Sequence, residues 1–481
     1  MKSSEKNIAA EKENGQVYTP LFIVNSVLDI SGYSGPAILK KHVIDNSCGD
    51  GAFLCEIVER YCKEALLSGV SLSEIARDLS LYIHGIEISK EECDKCKRNL
   101  DQTVFSLGIA GVEWDIVCGD ALVISQFDGK MDYVLGNPPY VRVHNLGAYM
   151  EEVKKFSFAG EGMTDLFIVF YEIGLKMLKE HGILGYITPN SFFSSLAGSH
   201  MRKVFVSEKL LAKVVDLKHF QAFSSTTYTA IVVLEKNRET SELDYYQFDE
   251  KQLVPYYVEK LLPTEYYISG NYYFSKKEKL EIIREIYNNK NKCDISVKNG
   301  YATLCDSVFI SDFDFDSPYI IPVIKASTGE RKKIFYPYDK NSRLIPELEL
   351  KKDKRIYAYL KENKERLLKR SNEKDSDKYW YAFGRSQALN DTYKNKIAIN
   401  SLIRNETDFK FVKAPSGVGV YGGLYIVSET IPIDDIKNAL RSEEFMSFVS
   451  LIGKYKSGGY YAYSSKDVKA YLDYKFACDG G

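Results

Sequence analysis

The sequence predicts an α/β fold with a doubly wound parallel sheet, followed by a second region of mixed α/β type. From about Val17 to Leu234, short apolar runs rich in β-branched residues alternate with helical stretches, as in parallel sheets. Three of the predicted strands end in an acidic residue, and a glycine-containing turn follows the first of them. After the polar stretch 235–242 this alternation is lost, and tyrosine pairs and glycines become frequent.

The elements of the first region follow from this alternation of strand and helix patterns. The predicted strands are His42–Asn46, Leu81–Ile88, Trp114–Cys118, Tyr133–Leu135, Gly182–Thr188, Ala212–Leu217 and Thr229–Leu234. The predicted helices between them include Ala52–Ser68, Lys90–Leu107, Asp165–Glu180 and Ser199–Ser207. We therefore predict a charged tail at 1–14, a first domain at 15–236 and a second domain at 243–481.

Length and composition indicate a soluble protein of two or three domains. The chain has 481 residues, 45% of them hydrophobic and 27% charged, which excludes wholesale disorder. The longest apolar runs, such as Ile231–Leu234, are far too short to cross a bilayer, and the polar N-terminus lacks the apolar stretch of a signal peptide. Nine scattered cysteines form no disulfide framework. We expect a cytoplasmic protein with no membrane partner.

The net charge of −2 hides an asymmetry along the chain. Residues 1–240 hold 25 Lys+Arg and 31 Asp+Glu, whereas residues 321–420 hold 23 and 13, a net charge of +10. We call residues 321–420 the basic block. A block of this kind suits a polyanion-binding surface, and a solvated face of a large domain would explain it equally well.

Three successive strands are predicted to end in Asp45, Glu87 and Asp120. The carboxyl ends of parallel strands meet at one edge of the sheet, where open α/β sheets bind ligands, and an acid there accepts the hydroxyls of a ribose. The turn after Asp45 contains Gly49 and Gly51, and glycines allow the backbone to approach a ligand closely. Together these features predict a cofactor that contains a nucleoside.

The tetrapeptide Asn137–Tyr140, Asn-Pro-Pro-Tyr, follows an apolar strand and is the most informative motif. Two prolines fix φ and remove two backbone donors, so we expect the carbonyl of Pro138 to point outward as a free acceptor. The side-chain carbonyl of Asn137 lies beside it in sequence. Two acceptors and an aromatic ring suit a planar substrate that bears an NH2 group; the alternative is a rigid turn with a packed tyrosine.

This tetrapeptide resembles motif IV of the amino-methyltransferases that use S-adenosylmethionine. The other motifs follow in the order of the γ class of DNA N6-adenine methyltransferases, similar to the TaqI-type enzymes. The matching segments are Gly15–Pro20 (motif X), Asp45–Phe53 (I), Glu87 (II), Asp120 (III), Thr164–Phe167 (V), Gly182–Phe192 (VI) and Phe223–Ala230 (VIII). The match spans about residues 15–236, and further on Ser457–Ser464 resembles the tail of a target-recognition domain.

The resemblance implies a Rossmann-like catalytic domain and a mixed α/β target-recognition domain. It gives Asn137, Pro138 and Tyr140 catalytic roles: the exocyclic amine of a flipped adenine would donate hydrogen bonds to Asn137 and to the Pro138 carbonyl. Tyr140 and Phe223 would stack on the two faces of the base, with Phe220 as an alternative to Phe223. The cofactor-binding residues implied are Tyr18, Thr19, Pro20, Asp45, Ser47, Gly49, Glu87, Ile88, Asp120, Ala121 and Asn137.

Within that set, the resemblance places Glu87 on the ribose and Asp120 on the amine of the cofactor's adenine ring. Tyr18, Thr19 and Pro20 would close over its methionine end. Position 121 is alanine where some relatives carry an aromatic residue, so Ile88 is an alternative apolar wall for the adenine. The C-x-x-C pair of Cys93 and Cys96 has no second pair at metal spacing, and we expect no metal.

The implied function is sequence-specific methylation of adenine N6 in double-stranded DNA by a monomeric enzyme. The enzyme would be a stand-alone methylase or the functional partner of a separately encoded restriction endonuclease. Four alternatives stay open: an RNA adenine, a protein glutamine or a cytosine-N4 methyltransferase, and a non-catalytic DNA-binding specificity subunit. Lysines and arginines of 351–370 would contact phosphates.

Overall fold

The computed structural model describes residues 19–142, 150–223, 227–370 and 379–477. The predicted tail 1–14, Tyr18 and the stretch 224–226 of motif VIII lie outside the described residues. The chain divides into two compact units, Met1–Glu281 and Ile282–Gly481. None of the described helices combines the length and the apolar composition that crossing a bilayer requires.

The first unit contains a nine-stranded sheet. Its strands are β1 (Val43–Asp45), β2 (Ile83–Glu87), β3 (Asp115–Cys118), β4 (Met131–Gly136), β5 (Leu178–Pro189), β6 (Leu211–Asp216), β7 (Thr229–Glu235), β8 (Leu243–Asp249) and β9 (Val254–Leu261). Their order in the sheet is β3-β2-β1-β4-β5-β7-β6-β8-β9. Strands β1 to β5 are parallel, and β7 is antiparallel to both of its neighbours. The predicted parallel order is confirmed for β1 to β5, whereas the complete sheet is mixed because β7 and β9 are antiparallel to their neighbours.

Helices lie on both faces of this sheet. The α-helices of the first unit are α1 (Leu21–Ile30), α2 (Ala52–Leu67), α3 (Leu72–Tyr82), α4 (Lys90–Phe105), α5 (Met150–Val153), α6 (Leu166–Met177), α7 (Ser199–Ser207) and α8 (Pro263–Tyr266). On β5, Leu184 lies against Gly174 of α6, and Gly185 lies against Ser31 at the end of α1. Successive strand residues point to opposite faces, so α1 and α6 cover different sides and the sheet is doubly wound.

The order of the strands determines where a ligand can bind. The chain runs from β1 outward through β2 to β3, and then returns to the other side of β1 to form β4. The sheet therefore has its topological switch point between β1 and β4. Open α/β sheets bind ligands in the crevice outside the carboxyl ends of the strands at this point.

The domain boundary that we predicted at residues 236–243 needs correction. The polar stretch is a loop between β7 and β8, but β8 pairs with β6 in parallel and β9 pairs with β8, so both strands extend the first sheet. The compact units divide after Glu281, within helix α9 (Lys277–Asn288). The loss of the strand–helix alternation after residue 235 located the loop correctly. The unit to which β8 and β9 belong is instead determined by their backbone pairing in the sheet.

The second unit has the mixed α/β character that the sequence predicted. A short pair, β10 (Tyr267–Ile268) and β11 (Asn271–Tyr272), precedes it. Its strands are β12 (Ile295–Asn299), β13 (Ile310–Ser311), β14 (Ile320–Lys325), β15 (Arg331–Phe335), β16 (Lys396–Ile399), β17 (Leu402–Ile403), β18 (Phe411–Ala414), β19 (Gly419–Tyr421), β20 (Leu424–Ser428), β21 (Tyr455–Lys456) and β22 (Tyr460–Ala462). They form the sheets β12-β20-β16-β18, β13-β15-β14-β19 and β17-β22-β21.

Short helices complete the second unit. They are α10 (Asp306–Phe309), α11 (Glu347–Leu350), α12 (Lys354–Glu362), α13 (Lys364–Leu368), α14 (Ile433–Leu440), α15 (Glu443–Ile452) and α16 (Ser465–Phe476). Ile356 and Leu360 of α12 are buried in a core that also contains Trp380 and Phe383, while most lysines and arginines of 351–370 stay exposed. The amphipathic pattern of this helix therefore orients its positive charges toward solvent.

Candidate active site

A cavity of about 490 Å³ lies at the carboxyl ends of β1 to β4, at the predicted switch point. Asp45 and Glu87, which end β1 and β2, and Asp120, two residues after the end of β3, all line it. The sequence-predicted residues that line the cavity are Thr19, Asp45, Ser47, Gly49, Glu87, Ile88, Asp120, Ala121, Asn137, Pro138 and Tyr140. The topology thus brings together segments that are about ninety residues apart in sequence.

The turn after β1 forms the wall of the cavity beside Asp45. Gly49 and Gly51 have φ angles of +52° and +91°, a region in which residues with a side chain are strained. These two glycines form the tight turn that connects β1 to α2. The backbone N–H of Ser47 donates to Asp45 Oδ1 over 3.0 Å. The pKa of the Asp45 carboxyl is raised to about 8: burial is the main cause, the nearby Glu87 carboxylate adds to it, and the hydrogen bond from Ser47 opposes it. The charge on Asp45 is therefore sensitive to whatever occupies the cavity.

The Glu87 carboxylate is held from two sides. Its Oε2 accepts the backbone N–H of Gly49 over 3.0 Å, and its Oε1 accepts that of Ser89 over 2.8 Å. Similarly, Asp120 Oδ1 accepts the backbone N–H of Leu122 over 2.9 Å. Each carboxylate oxygen has two acceptor sites, so both acids keep oriented lone pairs for a ligand.

The Asn137 amide has one partnered end and one unpartnered end. Its Nδ2 donates to Thr19 Oγ1 over 3.0 Å, which assigns the orientation of the amide. Its Oδ1 is buried, and no donor within the described residues forms a hydrogen bond with it. Pro138, the next residue, is buried and has no N–H to offer. Asn137 therefore keeps a buried, unpartnered acceptor in the wall of the cavity.

Tyr140 is anchored at its hydroxyl, which donates to the carbonyl of Ile187 over 3.0 Å. Burial raises the pKa of this phenol well above its ordinary value, so it stays neutral. Its ring meets the rings of Phe167 and Phe223 edge-to-face, with centroid distances of 6.3 and 6.1 Å. The hydroxyl and the two neighbouring rings together fix the plane of Tyr140.

Three predicted residues stand apart from the cavity wall. Pro20 is the N-cap residue of α1 and is not among the described residues that line the cavity. Phe223 does not line it either; it is buried beside Tyr140. Its alternative, Phe220, packs against Phe22 and Phe248 with centroid distances of 6.0 and 5.0 Å. Of the two phenylalanines, Phe223 is the one that contacts the Tyr140 ring.

Sequence analysis missed several residues of the cavity wall. Leu166 and Phe170 line the cavity from one face of α6, four residues apart, and Ser89 and Asp50 line it from the turns after β2 and β1. The i, i+4 spacing of Leu166 and Phe170 after motif V was the available signal. It was not distinctive, because this helix is apolar on nearly all sides.

Within the part of the chain that the structure describes, no cluster of three or more His, Cys, Asp or Glu side chains is arranged to hold a metal ion. The C-x-x-C residues Cys93 and Cys96 are both buried on α4. The cavity therefore offers oxygen acceptors and aromatic or apolar walls as its binding groups.

The chain is similar to known restriction-modification proteins. The family described as Eco57I restriction-modification methylase matches residues 67–223. The type II methyltransferase M.BstVI of Geobacillus stearothermophilus is 25% identical over 420 residues, which cover 76% of this chain and 74% of that protein. The type II restriction enzyme and methyltransferase RM.Eco57I of Escherichia coli is 23% identical, with 81% of this chain and 49% of that protein covered.

A third relative, the type II methyltransferase M.XhoI of Xanthomonas vasicola, is 28% identical over 48% of this chain and 44% of its own length. The matched parts thus span about half the length of M.XhoI and RM.Eco57I.

Among solved structures, that of the type IIL restriction-modification enzyme MmeI in complex with DNA superposes with a TM-score of 0.62 and 13% identity. The superposition covers 92% of this chain and 63% of MmeI. At this identity the likeness concerns the fold. In sequence, the chain is similar to type II restriction-modification methyltransferases, and its residues 67–223 match the Eco57I restriction-modification methylase family.

Proposed function

We propose that this protein transfers a methyl group from S-adenosylmethionine to N6 of a flipped-out adenine in double-stranded DNA. The observation that carries the proposal is the buried, unpartnered Oδ1 of Asn137 in the cavity at the switch point. A buried acceptor without a partner costs free energy in the unliganded protein, so its retention favours a substrate that donates an N–H there.

The residues of the cavity fit this cofactor. Glu87, held by two backbone N–H groups, has lone pairs directed toward the hydroxyls of a ribose, and Asp120 is an acceptor for an adenine amine. Ile88 and Ala121 are apolar wall residues for the adenine ring. Asp45, Ser47, Gly49 and Thr19 surround the remaining space and would hold the methionine end. The cofactor supplies the electrophilic methyl group.

The chain's own residues would prepare the nucleophile. The amine of adenine is weakly nucleophilic because its lone pair is delocalised into the ring. Hydrogen bonds from its two N–H groups to Asn137 Oδ1 and the Pro138 carbonyl would localise that lone pair on nitrogen. Tyr140 and Phe223 would hold the extruded base between them, and catalysis would rest on positioning and electrostatics.

DNA is the acceptor that the relatives favour. Three of them are named type II methyltransferases or restriction enzymes, and MmeI was solved in complex with DNA. The basic block supplies exposed cations for phosphate contacts. We therefore extend the proposal to a monomeric, cytoplasmic modification enzyme that acts alone or in function with a separate endonuclease.

The decisive experiment is to incubate the protein with S-adenosylmethionine and methylation-free genomic DNA, and to analyse the nucleosides by mass spectrometry. N6-methyladenine that appears with the wild type and disappears with a folded Asn137→Ala variant would support the proposal. An unchanged rate in Asn137→Ala would contradict the mechanism. Methylation of RNA or protein but not DNA would overturn the assigned substrate, and N4-methylcytosine would overturn the assigned base.

A further inference from the structure

Arg404 of the second unit has its guanidinium plane fixed before any ligand binds. It follows β17, whose Ile403 pairs with Tyr461 of β22, so Arg404 lies beside Tyr460 across the antiparallel pair. The guanidinium carbon is 4.6 Å from the centroid of the Tyr460 ring. The Arg404 side chain is nevertheless 49% exposed. An arginine stacked on a ring and open to solvent is suited to recognising a planar partner.

Asp408 occupies one edge of the guanidinium. Nε of Arg404 donates to Asp408 Oδ2 over 3.0 Å, and Nη2 donates to Oδ1 over 3.4 Å. The backbone N–H of Arg404 also donates to Oδ2, over 2.8 Å. The side chain of Asn405 accepts the backbone N–H groups of Thr407 and Asp408, which turns the loop back on Arg404.

A buried asparagine fastens this loop to the body of the second unit. Nδ2 of Asn400 donates to the carbonyls of Leu402 and Asp408 over 2.6 and 3.0 Å, and its Oδ1 accepts the backbone N–H of Lys410 over 3.0 Å. The ends of the loop that carries Arg404 and Asp408 are therefore both tied to one side chain. Such preorganisation reduces the entropy that binding must overcome.

The remaining edge of the guanidinium carries the N–H groups of Nη1 and the second N–H of Nη2. No described residue forms a hydrogen bond with Nη1. Two parallel donors in one plane match the O6 and N7 acceptors of guanine in the major groove, the commonest specific contact of arginine with DNA. A neighbouring carboxylate weakens the attraction of an arginine for phosphate, but it fixes the plane that base recognition needs.

The hairpin beside Arg404 is exposed and carries two glycines at its tip. Gly458 and Gly459, between β21 and β22, have φ angles of +74° and +76°, and a Cβ on Gly459 would meet nothing within 4 Å. Lys456 to Gly459 are exposed, so a cation and a backbone without side chains lie next to the Arg404–Tyr460 pair.

We propose that Arg404, held by Asp408 and Tyr460, recognises a guanine of the DNA target and so determines one position of the recognition sequence.

This inference rests on the proposed function, and one experiment separates the two. Methylation-free genomic DNA is methylated in vitro by the wild type and by Arg404→Ala, Arg404→Lys and Asp408→Asn, and modified adenines are mapped by single-molecule sequencing. We expect a wild-type motif that contains a G·C pair. Arg404→Ala should lose preference at one such position by about 5- to 150-fold and keep the other positions. Arg404→Lys should reduce the base preference at the same position, because lysine keeps the charge but lacks the paired donors of the guanidinium. Asp408→Asn should reduce the same preference to a smaller extent.

Arg441 provides a matched control, since it is also exposed and lies over an aromatic ring, that of Phe411. Arg441→Ala should leave the motif unchanged, and all variants should bind S-adenosylmethionine as the wild type does. An unchanged motif in Arg404→Ala would overturn the inference. So would a uniform loss of methylation at all sites, which identifies a phosphate contact. No methylated DNA with the wild type would remove the proposed function, and the inference with it.

Discussion

At the scale of single residues, Asn137 shows how a site can hold a polar group ready for a substrate. Thr19 binds the donor end of the amide, and the acceptor end stays buried and unpartnered in a residue that lines the cavity. A buried acceptor without a partner costs about 1–3 kcal/mol. A substrate N–H would recover this free energy on binding, so the cost is offset only when the site is occupied.

Asp45 should make the stability of the first unit depend on pH. Burial raises the pKa of its carboxyl to about 8, from 3.8 in the absence of burial. Between these pH values the native state binds more protons than the unfolded state, so the free energy of unfolding falls as the pH rises. The contribution of Asp45 to stability is fully present below pH 4 and is lost as the pH rises through 8. The loss is about 1.4 kcal/mol per pH unit. We expect the melting temperature of Asp45→Asn to exceed that of the wild type by an amount that increases from pH 5 to pH 8. A difference in melting temperature that stays constant with pH would contradict this.

Phe223 and Phe220 should respond differently to truncation. Phe223→Ala should slow single-turnover methylation of duplex DNA by about 5- to 150-fold, because stacking on a base is worth roughly 1–3 kcal/mol. It should also reduce the fluorescence increase of 2-aminopurine at the target position. Phe220→Ala should leave both readouts close to wild type, because Phe220 is only partly buried and packs against Phe22 and Phe248, away from the Tyr140 ring. The reverse pattern would assign the stacking role to Phe220.

At the scale of elements, the contact of β2 with its neighbours determines the position of Glu87. Gly85 lies two residues before Glu87 on this strand. A Cβ at Gly85 would come within 2.8 Å of Ile116 Cδ1, 3.0 Å of Leu54 Cδ1 and 3.1 Å of Cys48 Sγ. The close approach of β2 to β3 and α2 therefore leaves space for hydrogen only.

Gly85→Ala should accordingly destabilise the first unit and displace Glu87. We expect a loss of about 1–3 kcal/mol in stability from overpacking, together with weaker binding of S-adenosylmethionine. Thermal melting and isothermal titration calorimetry would measure the two effects. Gly160→Ala is a milder control, because Gly160 is exposed and far from β2 in sequence, and its Cβ would meet a single atom, the Ser157 carbonyl oxygen, at 3.3 Å. If Gly85→Ala binds the cofactor normally, β2 does not control the position of Glu87.

Two predicted elements had the right type but the wrong ends. Leu81 and Tyr82, assigned to a strand, belong to the end of α3, and β2 begins at Ile83. The helix predicted to run to Glu180 ends at Met177, and β5 begins at Leu178. At 81–83 an apolar run continues from the helix into the strand, and at 179–181 a polar stretch suits the end of a helix as well as a strand, so periodicity alone contains no signal for either boundary. Strand pairing determines it.

At the scale of the whole molecule, the basic block is expected to make DNA binding strongly dependent on salt. Lys354, Lys361 and Lys369 are exposed in or beside α12 and α13. Each phosphate contact releases a counterion, so affinity should fall steeply from 50 to 200 mM salt. Changing these three lysines to glutamine should reduce the slope of log K against log salt by about 0.9 for each contact removed. Fluorescence anisotropy would measure it, and an unchanged slope would show that this face is merely solvated.

The sequence by itself determined the fold class, the three strand-end acids and the Asn137–Tyr140 motif, because each depends on local patterns: apolar runs, turns and a rigid tetrapeptide. It could not determine that β8 and β9 belong to the first sheet, nor that Thr19 binds the Asn137 amide. The same holds for the contact of Phe223, rather than Phe220, with the Tyr140 ring. These contacts join residues up to 118 positions apart, and only packing in three dimensions selects them.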